Sequence, residues 1–184
     1  MQKAEARACL EKKAQVNQKK LHQGKIFSLV EEKILYPDSH EKKFDLILHP
    51  GAVAMIPIDD RGHLILVQQW RRAARQILLE LPAGTLELDE EPIDCVQREL
   101  QEEIGYEARK ITSLGGFYTA PGFCNEYIYL FLATDLHSNP LIGDDAEEID
   151  IVTLSLDEAM TYIEEGKIID AKTIAGIYRY KISS

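Results

Sequence analysis

Residues 84–106, GTLELDEEPIDCVQRELQEEIGY, decide how this chain folds. Pro92 suits the first position of a helix because its missing N–H is not needed there, and Gly105 suits helix termination. The sequence therefore predicts a helix over residues 92–104, about three and a half turns long at 3.6 residues per turn. Its apolar residues recur at spacings of three and four and predict one buried stripe: Ile93, Val96, Leu100 and Ile104.

Three carboxylates gather beside this stripe. At about 100° per residue, Glu99 and Glu103 stack one turn apart on its flank, and Glu102 lies further round. Like charges at this spacing cost roughly 0.2–0.5 kcal/mol per pair. A hard divalent cation would make the cluster favourable, since magnesium prefers oxygen ligands. These acids are candidate metal ligands, and a solvated acidic helix face is the alternative.

The spacing around these acids forms a longer motif. Glu90 follows Gly84 after five residues, and seven residues later Arg98 opens the acid cluster that ends at Gly105. This pattern resembles the Nudix box, G-x5-E-x7-R-E-U-x-E-E-x-G-U, where U is a bulky aliphatic residue. All the named positions match except the last, where Tyr106 replaces an aliphatic residue.

Composition excludes several classes of protein. The 184 residues suggest one domain, and a hydrophobic content of 45% is enough for a proper core. The net charge of −10 argues against a nucleic-acid partner, because such proteins usually carry a basic surface. No apolar run approaches the roughly 20 residues of a spanning helix, and no signal peptide is evident. With three cysteines in no zinc-type spacing, we expect a cytoplasmic protein with reduced thiols.

The remaining pattern places strands and helices around the central helix. Residues 1–23 are polar and locally basic, and they predict a mobile or weakly helical tail. Residues 24–50 predict a β-hairpin, and further helices begin at Leu156 and cover residues 170–180. The resemblance implies an α/β (α+β) fold for residues 24–184: the αβα sandwich of Nudix proteins, with a mixed β-sheet and an N-terminal β-hairpin extension.

Nudix proteins typically hydrolyse a nucleoside diphosphate linked to another group. The resemblance implies Mg²⁺ as the cofactor, with Mn²⁺ as an alternative. The metal ligands that it implies are Glu99, Glu103, Glu102 and the carbonyl of Ala83. Arg98 and Glu90 resemble positions that orient these ligands. The alternative interpretation of Arg98 is that it forms an ordinary surface salt bridge. The catalytic residues are accordingly expected to be Glu147, Glu103, Glu102 and Arg98.

Segments outside the motif resemble the ADP-ribose pyrophosphatase branch of the family. They cover most of the chain from Gly24 onward and occur in the same order: GAVAMIPI, VQQWRR, ELPAG, APGFCNE and DAKT. Pro121, fifteen residues past Tyr106, resembles the mark of that branch. An ordinary Pro-Gly turn is the alternative explanation of this proline.

The same resemblance assigns the substrate contacts. Arg71 is expected to grip the diphosphate, because an arginine fork suits phosphate oxygens. Glu80 is a second contact, unless it faces solvent on an edge strand, and Phe27 stacks on adenine, unless it packs in the core. The general base comes from the acidic loop 144–148, where Glu147 is preferred and Asp145 is second. A mobile, solvated loop is the alternative reading of that segment.

Three functions are consistent with these residues. The first is Mg²⁺-dependent hydrolysis of ADP-ribose to AMP and ribose 5-phosphate. The second is the same chemistry on another nucleotide sugar such as GDP-mannose, and the third is a non-catalytic nucleotide-binding module. The retained acids argue against the module. The resemblance also implies a homodimer in which residues 24–50 complete the partner's site. The acidic charge and the lack of long apolar runs predict no nucleic-acid or membrane partner.

Overall fold

The structure is a computed structural model that describes residues 3–141 and 149–183, in two compact units. The first unit contains Met1–Pro50 and Ala120–Glu126, and the second contains Gly51–Thr119 and Tyr127–Ser184. Among the described helices, none has the length and apolar character needed to cross a membrane. The elements in chain order are α1 (Lys3–Glu11), β1 (Gln15–Gln23), β2 (Ser28–Leu35), β3 (Glu41–Leu48), β4 (Ala52–Pro57), β5 (Leu64–Arg71), β6 (Gln76–Glu80), β7 (Ala83–Thr85), α2 (Pro92–Glu103), β8 (Tyr106–Tyr118), β9 (Tyr127–Ser138), β10 (Asp150–Leu154), α3 (Leu156–Glu164) and α4 (Ala171–Ser183).

The first unit is a three-stranded antiparallel sheet in the order β1-β2-β3. The hairpin predicted in residues 24–50 is present as β2 and β3, which pair from Ser28↔Leu48 to Leu35↔Glu41. Tyr36, the residue after β2, is only 2% exposed. Its hydroxyl donates to Glu11 Oε1 at 2.8 Å and accepts from Arg7 Nη2, so it fastens α1 to this sheet.

The polar tail expected in residues 1–23 contains a helix and a strand. Strand β1 pairs with β2 along its length, yet all nine of its residues are exposed. Hydrophobic periodicity could not identify this strand, because its only large apolar residues are Val16 and Leu21. Backbone pairing with β2, rather than burial of side chains, defines it.

The second unit contains two sheets. One is mixed, in the order β7-β4-β9-β8, with β4 parallel to β9, and the other is antiparallel, in the order β10-β5-β6. All six residues of β4 are buried, and the first five alternate between two apolar clusters. Ala52, Ala54 and Ile56 pack in the cluster that includes α3 and α4. Val53 and Met55 pack in the cluster that includes α2. The expected mixed sheet flanked by helices is therefore present.

Strand β8 is a further element that the sequence pattern did not reveal. It pairs with β9 alone and stands at the edge of the mixed sheet, so most of its residues are exposed. Its register shifts between Ser113 and Gly116, and Gly115 there has a φ of +86°. A bulge of this kind removes the regular alternation by which a strand is recognised in sequence.

Candidate active site

Helix α2 follows the prediction closely and presents its acids beside a buried face. It begins at Pro92 and ends at Glu103, and Gly105 next to its end has a φ of +76°, which suits a residue without a side chain. Of the predicted stripe, Val96, Leu100 and Ile104 are buried. Ile93 is 45% exposed instead, and Cys95 takes the buried position in the first turns.

Arg98 is the centre of an ion-pair cluster. Its Nε and Nη2 bind the two carboxylate oxygens of Glu90 at 2.9 and 3.0 Å. Its Nη1 binds Glu99 Oε1 at 2.6 Å and Glu102 Oε2 at 3.1 Å. Nη2 also donates to the carbonyl of Thr85 at 3.3 Å. One guanidinium therefore holds three carboxylates against the backbone of β7.

The electrostatics of this cluster follow from those contacts. The hydrogen bonds from Arg98 lower the pKa of Glu90 to about 2, against the opposing effect of burial. The same pairing with Glu90, helped by Glu99, raises the pKa of Arg98. The side chain of Arg98 is 24% exposed, so the ion pairs that it forms are partly buried. Glu90 is ionised at neutral pH and orients Arg98 toward the acids of α2.

Glu99 lies where a side chain on residue 84 would stand. A β-carbon built on Gly84 would be 1.9 Å from the carboxyl carbon of Glu99. Gly84 is therefore required by close approach, and this explains the first glycine of the motif. Burial raises the pKa of Glu99, although Arg98 opposes the shift.

Glu103 sits one turn further along α2 and faces β7. Its Oε2 accepts a hydrogen bond from the backbone N–H of Ala83 at 3.0 Å. Burial raises the pKa of Glu103 to about 8, against the effect of that hydrogen bond, and the negative charge of Glu99 adds to the rise. Two partly buried carboxylates on one side of a helix are a donor set that a hard cation would stabilise.

A divalent cation fits this set of oxygen donors. Two of the candidate ligands lie against neighbouring residues of β7, Glu99 beside Gly84 and Glu103 on the backbone N–H of Ala83. Within residues 3–141 and 149–183, no three His, Cys, Asp or Glu side chains converge closely enough to hold an ion by themselves. Magnesium usually keeps several waters and takes only a few protein ligands, so two carboxylates and a carbonyl are an adequate set.

A second ionic network begins at Arg71 on β5. Its Nε and Nη2 form a fork on the two oxygens of Glu80, at 2.7 and 2.9 Å. Glu80 is 1% exposed, so it does not lie on the solvent face of an edge strand. Its Oε2 also accepts from Lys172 Nζ, and Lys172 in turn binds Asp170 Oδ2 at 3.0 Å. Burial works to raise the pKa of Glu80, but the two cations outweigh it, and the net pKa is lowered.

The remaining predicted residues lie elsewhere in the chain. Phe27 and Pro121 belong to the first unit, where Phe27 is 37% exposed and Pro121 stands in an exposed turn. Glu147 and Asp145, the candidate bases, lie outside the described residues. Lys172 lies in the segment DAKT, and the sequence pattern assigns it no role. A lysine at the start of a helix gives no signal of a partner 92 positions away.

Comparisons with known proteins show which sequences and folds this chain resembles. The profile of the NUDIX domain matches residues 48–176. An ADP-ribose pyrophosphatase of Bacillus subtilis (strain 168) is 36% identical over 164 residues, which cover 88% of this chain and 89% of the relative. A methanol dehydrogenase activator of Bacillus methanolicus is 35% identical over the same shares of both chains. The solved structure of an ADP compounds hydrolase matches with a TM-score of 0.81, covering 92% of each chain, and its 22% identity supports the fold alone.

Proposed function

The chain belongs to the NUDIX family, and we propose that it hydrolyses the diphosphate of ADP-ribose to AMP and ribose 5-phosphate. The observation that carries the proposal is the Arg98 cluster, in which one guanidinium holds Glu90, Glu99 and Glu102. That arrangement uses a partly buried arginine to align acids, which a module that merely binds nucleotides does not need. The similarity to an ADP-ribose pyrophosphatase over 88% of the chain supports this choice of substrate.

We assign the metal to the acids of α2. Glu99 and Glu103 would hold Mg²⁺ (or Mn²⁺), assisted by Glu102 and the carbonyl of Ala83. When bound there, the ion would offset the negative charge that builds on the phosphate oxygens. Arg98 contributes by fixing the carboxylates, which it does through contacts of 2.6 and 3.1 Å to Glu99 and Glu102.

The substrate would be held by residues outside α2. The guanidinium of Arg71 is oriented by its fork on Glu80, and its side chain is 38% exposed, which leaves it accessible to a diphosphate. Both oxygens of Glu80 are engaged by cations, so its part is to orient Arg71 rather than to bind the sugar. Phe27 and Pro121 remain the proposed contacts to the adenosine part.

The reaction itself is a displacement at phosphorus. Water attacks one phosphorus atom, the bond from that atom to the bridging oxygen breaks, and the water proton passes to a base. Glu147 remains our proposed base and Asp145 the second candidate. A base must come within about 2.6–3.2 Å of the water, directly or through one further water.

We further propose that the protein is a cytoplasmic homodimer. The first unit exposes several large apolar side chains that water contacts unfavourably: Val16, Leu21, Ile26, Phe27, Leu35 and Phe44. A second copy of the chain is the occupant that the family resemblance suggests for this surface. Sedimentation at micromolar concentration tests it, and a fully active monomer would exclude the arrangement. The free cysteines Cys9, Cys95 and Cys124 support a reducing compartment.

The substrate is tested by incubating the protein with Mg²⁺ and, separately, ADP-ribose, GDP-mannose and UDP-glucose. Release of the nucleoside monophosphate is followed by chromatography. The proposal predicts a clear preference for ADP-ribose. A preference for GDP-mannose would keep the mechanism and replace the substrate, and turnover of none of the three would favour a binding module.

A further inference from the structure

The start of α4 carries a network of charges that has no direct part in the proposed hydrolysis. Asp170 Oδ2 accepts from the backbone N–H of Thr173 at 2.9 Å and so caps the helix. The same oxygen accepts from the Thr173 hydroxyl at 2.6 Å and from Lys172 Nζ at 3.0 Å. Lys172 is the member of this group that reaches beyond the helix, to Glu80.

Lys172 and Arg71 share one buried carboxylate. Glu80 is 1% exposed, Lys172 is 12% exposed and Arg71 is 38% exposed, so Lys172 is the inner cation and Arg71 the outer one. A buried carboxylate must be balanced by positive charge and by hydrogen bonds. Without Lys172, the whole charge of Glu80 would act on Arg71. The Arg71 guanidinium would then be drawn toward the buried carboxylate of Glu80, and it would be less accessible from solvent.

A second bond ties the same turn of α4 to the chain that leads into the acid cluster. The hydroxyl of Thr173, a fully buried residue, accepts from the backbone N–H of Leu81 at 2.8 Å. Leu81 is two residues before Ala83, whose N–H binds Glu103 at 3.0 Å. The segment that carries Glu80 and Ala83 is therefore held from α4 at two consecutive residues.

We propose that Lys172 is a positioning residue that holds Glu80 from inside and thereby fixes the outward reach of Arg71 toward a diphosphate. The inference rests on the proposed function, in which Arg71 grips the diphosphate of the substrate. Lys172 itself touches no substrate; it acts through Glu80. Its replacement should therefore weaken substrate binding more than it slows the chemical step.

The test compares steady-state kinetics on ADP-ribose for five variants of the full chain. They are Lys172→Met, Lys172→Arg, Arg71→Gln, the double variant of Lys172→Met with Arg71→Gln, and the control Lys167→Met. Lys167 is a matched control because it also forms an ion pair, but its partner is the exposed Glu165 and Lys167 itself is 56% exposed. Thermal unfolding of each variant shows that it is folded.

Lys172→Met is expected to raise KM about tenfold with kcat within about threefold of the wild type. Lys172→Arg keeps the charge and should restore most of the lost affinity, and Lys167→Met should change neither constant. In the Arg71→Gln background, Lys172→Met should have almost no further effect on KM, because residues that act through one another are not additive. An unchanged KM in Lys172→Met, or the same loss with and without Arg71, would overturn the proposal.

A binding measurement separates this inference from the proposed function. The dissociation constant of ADP-ribose is measured by calorimetry for the same set, each carrying Glu103→Gln so that turnover does not interfere. Absence of AMP from the wild type would remove the proposed function alone. Weaker binding by Lys172→Met that depends on Arg71 would still support the positioning role, and equal binding across the set would refute it.

Discussion

Glu90 binds Arg98 through both of its carboxylate oxygens, at 2.9 and 3.0 Å, and Arg98 in turn holds Glu99 and Glu102. Glu90, eight positions before Arg98 in the motif, thus fixes the Arg98 guanidinium. The guanidinium in turn fixes the carboxylates of Glu99 and Glu102. This chain of contacts explains why an acid and an arginine outside the candidate ligands belong to the motif.

Replacement of Arg98 by lysine should impair activity without unfolding the protein. A lysine keeps the charge but cannot form the fork on Glu90 while also reaching Glu99 and Glu102. We expect kcat/KM to fall about 10- to 100-fold, the usual cost of losing a residue that orients metal ligands. Arg109→Lys on the exposed face of β8 is the matched control and should retain activity. Equal activity of the two variants would mean that Arg98 is only a salt bridge.

Gly84→Ala should displace Glu99, because the new β-carbon would lie 1.9 Å from its carboxyl carbon. The clash should reduce the free energy of unfolding by roughly 1–3 kcal/mol, as overpacking does elsewhere. The double variant Gly84→Ala with Glu99→Ala removes the clash and should recover stability while remaining inactive. Denaturant unfolding with an activity assay checks both, and equal instability of the single and double variants would contradict the contact.

Much of the site could be predicted because it is local in sequence. Pro92, Gly105 and the apolar spacing define α2 within a residue, and the family resemblance is confirmed by a profile match over residues 48–176. Arg98, Glu99 and Glu102 all lie on α2, so helical geometry alone brings these three side chains together. The close approach of Gly84 to Glu99 is different, because it joins β7 to α2 and was not predicted.

What could not be predicted depends on partners that the apolar pattern does not indicate. Glu80 could be assigned to either face of its strand by pattern, and only its contacts with Arg71 and Lys172 explain its burial. Strand β1 has almost no apolar residues and exists through its pairing with β2. Glu80 has a partner far along the chain, and β1 is held mainly by backbone pairing, so the apolar pattern indicates neither feature.

Mg²⁺ should stabilise the wild-type protein against heat. A ligand that binds only the folded state at ten times its dissociation constant adds about 1.4 kcal/mol. In a chain of this size that corresponds to roughly 3–6 °C in Tm. Glu103→Gln should lose most of this shift, whereas Glu164→Gln on the exposed side of α3 should keep it. Identical Mg²⁺-induced shifts in all three proteins would place the ion elsewhere.

Stability should depend on the charge of Glu80. Its folded pKa lies below the ordinary value of 4.5, so its contribution is present above pH 4.5 and is lost as the pH falls through the lowered pKa. Glu80→Gln should therefore reduce the free energy of unfolding by about 1.5–3 kcal/mol at pH 7, the range for a charged hydrogen bond. The difference in free energy of unfolding between the variant and the wild type should become smaller below pH 4.5. Urea unfolding at a series of pH values measures it. A difference in free energy of unfolding that stays constant down to pH 3 would disprove the role of the Glu80 charge.

The rate of AMP formation from ADP-ribose, measured for the wild type and for Glu103→Gln at saturating Mg²⁺, tests the central claim most directly. We predict AMP and ribose 5-phosphate in equal amounts from the wild type, and a rate at least about 100-fold lower in the variant, since one misplaced catalytic group can cost that much. Equal rates in the two proteins, or no AMP from the wild type, would contradict the account.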